Sequence, residues 1–175
     1  MRIGILVLLS ALSSQSYPED IALCKKGWSL TQSGNHKEAI QLFNECIKVG
    51  KLSDASLSRT YRNIGIANRR DGKFIDAIKS YDEALSLTPD DPWSDYVNSG
   101  NSWSELGNYK KEFSDYKKAL ELKPNYNEAF YNRGIVLEKQ GFNEKAIEEF
   151  KKAYESGLRS QGLYERFVVH GLIEQ

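Results

Sequence analysis

Apolar positions fall at helical spacing through most of the chain, and the pattern breaks at regular intervals on glycine. Tyr61 and Ile64 share one helical face, as do Tyr81 and Leu85, and Gly72 stands between the two runs, where one helix stops and the chain reverses. Four stretches have this form. Leu23-x2-Lys26-Gly27-x2-Leu30, Tyr61-x2-Ile64-Gly65-x2-Asn68, Tyr96-x2-Ser99-Gly100-x2-Trp103 and Phe130-x2-Arg133-Gly134-x2-Leu137 centre on glycines separated by 38, 35 and 34 residues. A second glycine follows each after seven residues, at Gly34, Gly72, Gly107 and Gly141. Next come Ala39-x3-Phe43, Ala77-x3-Tyr81 and Ala146-x3-Phe150, with Glu112-x3-Tyr116 as the deviant member. Cys46, Ala84, Ala119 and Ala153 follow three positions on, and Pro89 and Pro124 close two of the units. The small residues let two helix backbones approach, while Tyr61, Phe74 and Tyr81 fill the space beside them. No single unit buries its apolar face, so stacked neighbours form the core.

This pattern resembles the tetratricopeptide repeat, a helix-turn-helix unit of about 34 residues. The resemblance covers residues 20–158. It implies an all-α fold, a right-handed α-solenoid of four units at about 20–53, 58–91, 93–126 and 127–158, closed by a C-terminal capping helix over 159–175. Departures carry expectations of their own. Glu112 takes an alanine seat, so the third hairpin is expected to splay or to send the carboxylate sideways, and to be the least tightly packed. Four extra residues within Val49–Ser56 predict a longer connection between the first two units. Lys26 and His36 stand where apolar residues are usual, which makes the first unit cap-like.

The ends differ from the middle. Met1-Arg2, the apolar run Ile3–Leu12 and the small polar residues Ser13, Ser14 and Ser16 read as a secretory signal peptide over residues 1–16. The alternative is an uncleaved or buried N-terminal helix. A membrane-spanning helix needs about 20 apolar residues, so no span is expected after signal cleavage, and the protein is expected to be exported, periplasmic or secreted. Beyond the fourth unit, Leu163–Ile173 predicts one last helix with Leu163, Phe167 and Leu172 on a common side. It reads as a cap, with a partner or self-association surface as the alternative.

Charge and chemistry narrow the function. Twenty-four basic and 24 acidic residues give a formal net charge of zero, which argues against nucleic acid as a partner. Export would place Cys24 and Cys46 in an oxidising compartment. They sit at equal height about the first hairpin turn, which favours a disulfide. Against it, Cys46 fills a small-residue seat, and Cys24 is expected to lean toward the groove, away from the partner helix. Both readings stand on the sequence. His36 and His170 are far apart and lack companions at ligand spacing, and both read as surface residues. No phosphate loop, nucleophile elbow or zinc motif occurs, so no catalytic residue, metal, cofactor or small-molecule substrate is expected, and the chain reads as non-enzymatic.

Binding to another protein remains. In tetratricopeptide proteins the first helices line a concave groove that takes an extended peptide or partner helix. The resemblance puts Arg59, Arg62, Asn63, Ile66, Arg69 and Arg70 from the second unit in that groove. It adds Val97, Asn98 and Asn101 from the third, and Tyr131, Asn132 and Ile135 from the fourth. Asn63, Asn98 and Asn132 form a ladder of amides that can grip a peptide backbone. The arginines of the second unit predict an acidic segment or chain terminus as ligand, while Glu105, Glu128 and Glu138 make the far half acidic. One alternative is a self-assembling structural protein of the cell envelope, docking its basic end on the acidic end of the next copy. A more distant one is an accessory subunit of an enzyme.

Overall fold

The structure is a computed structural model that describes residues 17–50, 52–87 and 89–173, the side chains of 17–21 excepted. The expected signal peptide lies outside the described residues. Among the described residues the fold is all-helical: α1 (Tyr17–Gln32), α2 (His36–Val49), α3 (Asp54–Arg70), α4 (Phe74–Ser86), α5 (Pro92–Glu105), α6 (Tyr109–Leu122), α7 (Asn127–Lys139), α8 (Asn143–Glu155) and α9 (Gln161–Val169). Helices pair as hairpins α1/α2, α3/α4, α5/α6 and α7/α8, and the second helix of each pair packs on the first helix of the next, which makes a solenoid. No described helix is long and apolar enough to cross a membrane.

Two kinds of glycine set this geometry. Gly34, Gly72, Gly107 and Gly141 close the hairpin turns at φ between 67° and 87°, a region that side-chain-bearing residues rarely adopt. Gly100 lies inside α5 under the ring of Tyr116, where a Cβ would come within 2.6 Å of the ring. Around such contacts Ala39, Ala77, Ala146, Phe43, Tyr81 and Phe150 are completely buried.

Three expectations change. The extra residues between the first two units lengthen a helix and not a loop: α3 has 17 residues against 14 in α5 and 13 in α7. Gly50 ends α2 at φ 80°, and Ser53 caps α3, its Oγ accepting from the Ser56 amide at 3.3 Å. The third hairpin is as closely packed as the second and fourth. Its Glu112 points inward and is 1% exposed. Asn101 makes the room, because it stands where the other units carry Trp28, Ile66 and Ile135. Cys24 does not turn away from its partner helix but bonds to Cys46, with Cα atoms 5.7 Å apart, and so cross-links the first hairpin.

The last helix, α9, is shorter than the predicted run. Ser160 caps it, its Oγ accepting from the Leu163 amide at 3.2 Å, and Leu163 inserts against Ala146, Phe150 and Ala153. His170 is no surface residue. It lies 3.0 Å from Glu138 Oε1, which together with Arg166 at 3.1 Å ties the chain end to α7.

Candidate functional site

The first helices α3, α5 and α7 adjoin along one face, and their junction holds a polar cleft of about 210 Å³. Arg69 comes from α3, Asn101, Ser104 and Glu105 from α5, and Asn132, Ile135 and Lys139 from α7, while Glu112 and Tyr116 of α6 form the floor. Asn101 organises it: its Oδ1 accepts from the Tyr116 hydroxyl at 2.7 Å and from Asn132 Nδ2 at 3.0 Å. The Tyr116 hydroxyl also lies 3.3 Å from Glu112 Oε1. Glu112 Oε2 and Arg69 Nε are buried with no hydrogen-bond partner among the described residues. Burial raises the Glu112 carboxyl above the ordinary range, with Ser104, Lys139 and Tyr116 pulling the other way. Burial likewise raises the Tyr116 phenol, and the neighbouring Glu112 adds to the effect.

The basic stripe expected at the second unit is neutralised in part by acids one unit on. Arg62 forks onto Asp95 at 2.5 and 2.8 Å and reaches Asp91 at 2.6 Å. Asp95 is completely buried at the start of α5. Burial raises its pKa, against the pull of Arg62. Arg59 is exposed and lies 3.6 Å from Asp90, and Arg70 donates to the Thr31 carbonyl at 3.1 Å, tying the second unit to the first. Arg69 and Lys139 are the cations of the cleft, and Glu105 and Glu112 are its carboxylates.

Other predicted groove residues separate. Val97, 4% exposed, belongs to the core with Tyr116, Ala119, Ala129 and Val136, so it does not line the groove. Tyr131 packs on Phe150 at 5.9 Å between ring centroids, and its hydroxyl abuts Gly162 of α9. Asn63, Ile66 and Asn98 are half-buried on α3 and α5. Of the asparagine ladder, Asn132 joins the cleft network, and its partner is Asn101. Glu138 is engaged by Arg166 and His170 of the cap, whereas Glu128 accepts from the neutral Tyr126 hydroxyl at 2.8 Å and keeps its charge, and Glu105 lines the cleft. Ser104, Glu112, Tyr116 and Lys139 were not among the predicted groove residues. The available signal was the joint departure of Asn101 and Glu112 in a single unit. Among the described residues no His, Cys, Asp and Glu cluster could hold a metal ion.

Tetratricopeptide repeat models match residues 19–90 and 128–156, and a TPR repeat model matches residues 100–141. The chain belongs to the tetratricopeptide repeat (TPR) family. Its curated relatives include photosystem I assembly protein Ycf3 of Acaryochloris marina (strain MBIC 11017), 33% identical over 53% of this chain and 57% of that protein. Hsp70-Hsp90 organizing protein 3 of Arabidopsis thaliana is 30% identical over 99% of this chain and 31% of that protein. The TPR chain thus spans between about a third and somewhat over half of these two relatives' lengths. Among solved structures, MamA superposes with a TM-score of 0.68 at 24% identity, covering 81% of this chain and 80% of that one. The first TPR of Spaghetti (RPAP3), bound to HSP90 peptide SRMEEVD, gives a TM-score of 0.62 at 21% identity, covering 75% of this chain and 99% of that one. At these identities the structural matches establish the fold.

Proposed function

We propose that this chain is an exported, non-catalytic protein-interaction module of four TPR units, at about 20–53, 58–91, 93–126 and 127–158, with residues 159–175 as the cap. Its concave face takes an extended peptide or partner helix that brings an acidic segment or a C-terminal carboxylate. The observation that carries this reading is the cleft itself. The Asn101–Asn132 amide pair lines the same cleft as Arg69 and Lys139, with Glu105 and Glu112 also in its wall, so backbone-binding amides share one site with cations that pair with carboxylates. Because Arg62 is held by Asp91 and Asp95, the acidic group docks at Arg69 and Lys139, nearer the fourth unit than arginine counting suggests. Peptide binding in the Spaghetti neighbour supports the mode of engagement. The Cys24–Cys46 disulfide supports passage through an oxidising compartment, as does the signal-like sequence over 1–16.

The test uses fluorescein-labelled SRMEEVD as a probe of acidic-terminus recognition. Saturable binding is expected, weakened about tenfold or more by Lys139→Glu, since a reversed charge repels what the lysine attracted. Asn132→Ala is expected to weaken it as well. Absence of saturable binding, or binding indifferent to Lys139→Glu, would overturn the acidic-ligand reading. Export is tested separately by the N-terminal sequence of the protein recovered from its producing cell: cleavage within or just after residues 13–16 supports it, and an intact Met1 refutes it.

A further inference from the structure

Residues 161–170 repeat the architecture of the first helix of the fourth unit. Thirty-four residues beyond Ala129 and Val136, which face inward from α7, stand Leu163 and His170 of α9 and its end. The surfaces that receive them step by the same interval. Ala129 and Val136 cluster with Tyr116 and Ala119, whereas Leu163 clusters with Phe150 and Ala153, and the His170 ring lies 6.0 Å from that of Phe150. α9 therefore occupies the position of the first helix of a further unit.

Every other first helix is covered by the second helix of its own hairpin. On α7, Arg133 meets α8 by pairing with Glu149 at 2.7 Å. The equivalent side of α9, which carries Phe167, opens instead onto an apolar cleft of about 700 Å³. Tyr154, Leu158, Leu172 and Ile173 complete its apolar wall. Tyr154 is 46% exposed, and Leu172 and Ile173 are 38% exposed each. Among the described residues, the charged ones lining the cleft are Lys151 and Arg159, both basic, and Arg159 stacks over the Tyr154 ring at 3.7 Å. One further feature shapes the occupant. Val168 stands where α7 has Gly134, the residue over which Phe150 of α8 lies.

We propose that this cleft is a second binding site, distinct from the concave groove, that receives an amphipathic helix from a partner protein. The helix takes the seat of a second helix in the hairpin begun by α9. Its apolar stripe covers Tyr154, Phe167, Leu172 and Ile173, and acidic residues on its flank meet Lys151 and Arg159. Opposite Val168 it carries a small residue, because the valine side chain fills the space that glycine leaves for an aromatic ring elsewhere in the array.

The chain itself provides the probe: a labelled peptide of residues 143–155 with Phe150→Ala, which keeps the alanine seats and acidic flank of α8. Fluorescence anisotropy with the full chain is expected to show saturable binding, about tenfold tighter than for the unaltered peptide, the scale of a hydrophobic misfit in a packed site. Glu144→Lys and Glu148→Lys in the peptide, or Lys151→Glu with Arg159→Glu in the protein, weaken it. Val168→Gly narrows the gap between the two peptides, and Tyr154→Ala, on the well-anchored α8, weakens both, with helicity by circular dichroism unchanged. Equal affinity for the two peptides, no saturable binding, or indifference to the charge changes overturns the proposal. Concentration-dependent mass in sedimentation, abolished by Tyr154→Ala, also overturns it, assigning the cleft to a second copy. SRMEEVD binding is measured on the same samples, so failure here is distinguishable from failure of the groove reading.

Discussion

Replacing Glu112 by glutamine tests whether the one deviant seat of the array is held at an energetic cost. The side chain is 1% exposed, Oε1 receives a long hydrogen bond of 3.3 Å from Tyr116, and Oε2 has no hydrogen-bond partner among the described residues. Leaving a buried acceptor unsatisfied costs about 1–3 kcal/mol, and the charge adds desolvation that Lys139 and Ser104 only partly offset, since the carboxyl remains raised. Glutamine keeps the shape without the charge, although its own amide protons need acceptors. The net expectation is a gain of about 1 kcal/mol at neutral pH, or about 2–4 °C in melting temperature for a domain of this size. The sign with pH follows from the raised carboxyl. Folding tolerates the protonated form better, so wild-type stability is fully present below the unfolded glutamate value of about 4.3 and is lost as pH rises through the folded value. Urea melts of Glu112→Gln and wild type should therefore differ at pH 7 and converge near pH 4. A pH-independent difference, or a variant less stable than wild type at pH 7, refutes the reasoning. Either result would mean that the carboxylate is satisfied where it sits.

The remaining predictions use other contacts. Arg62→Gln should destabilise by about 3 kcal/mol by stranding the buried Asp95, and Asp95→Asn in the same protein should recover much of it; denaturant melts of the four-member cycle decide. Gly100→Ala should cost about 1–3 kcal/mol, because its Cβ would meet the Tyr116 ring at 2.6 Å, and an unchanged melting curve would contradict the assigned seat. Reduction of Cys24–Cys46, which closes a span of 22 residues, should cost about 3 kcal/mol, read as a lower melting temperature in dithiothreitol that Cys24→Ser with Cys46→Ser reproduces.

Much of the fold was readable because each signal was local and repeated. A glycine at every hairpin turn and an alanine-then-aromatic seat in every second helix leave little choice of architecture. The sequence misleads most where the outcome depends on the neighbouring unit. Arg62 reads as a free groove cation, although Asp95, 33 residues on, stands about one repeat away. In a stacked array that spacing makes opposite charges candidates for pairing across the interface. Arg59 with Asp90 has a similar interval, and Asn101 with Asn132 follows at 31 residues. A side chain on a repeat surface is thus available to a ligand only after its counterpart one period away has been considered. In this chain that rule sets Arg62 aside and leaves Arg69 and Lys139 as the cations of the cleft. Glu112 required the same comparison within a unit, because a carboxylate in an alanine seat becomes intelligible only beside Asn101, the polar residue that gave up the volume of an isoleucine or tryptophan.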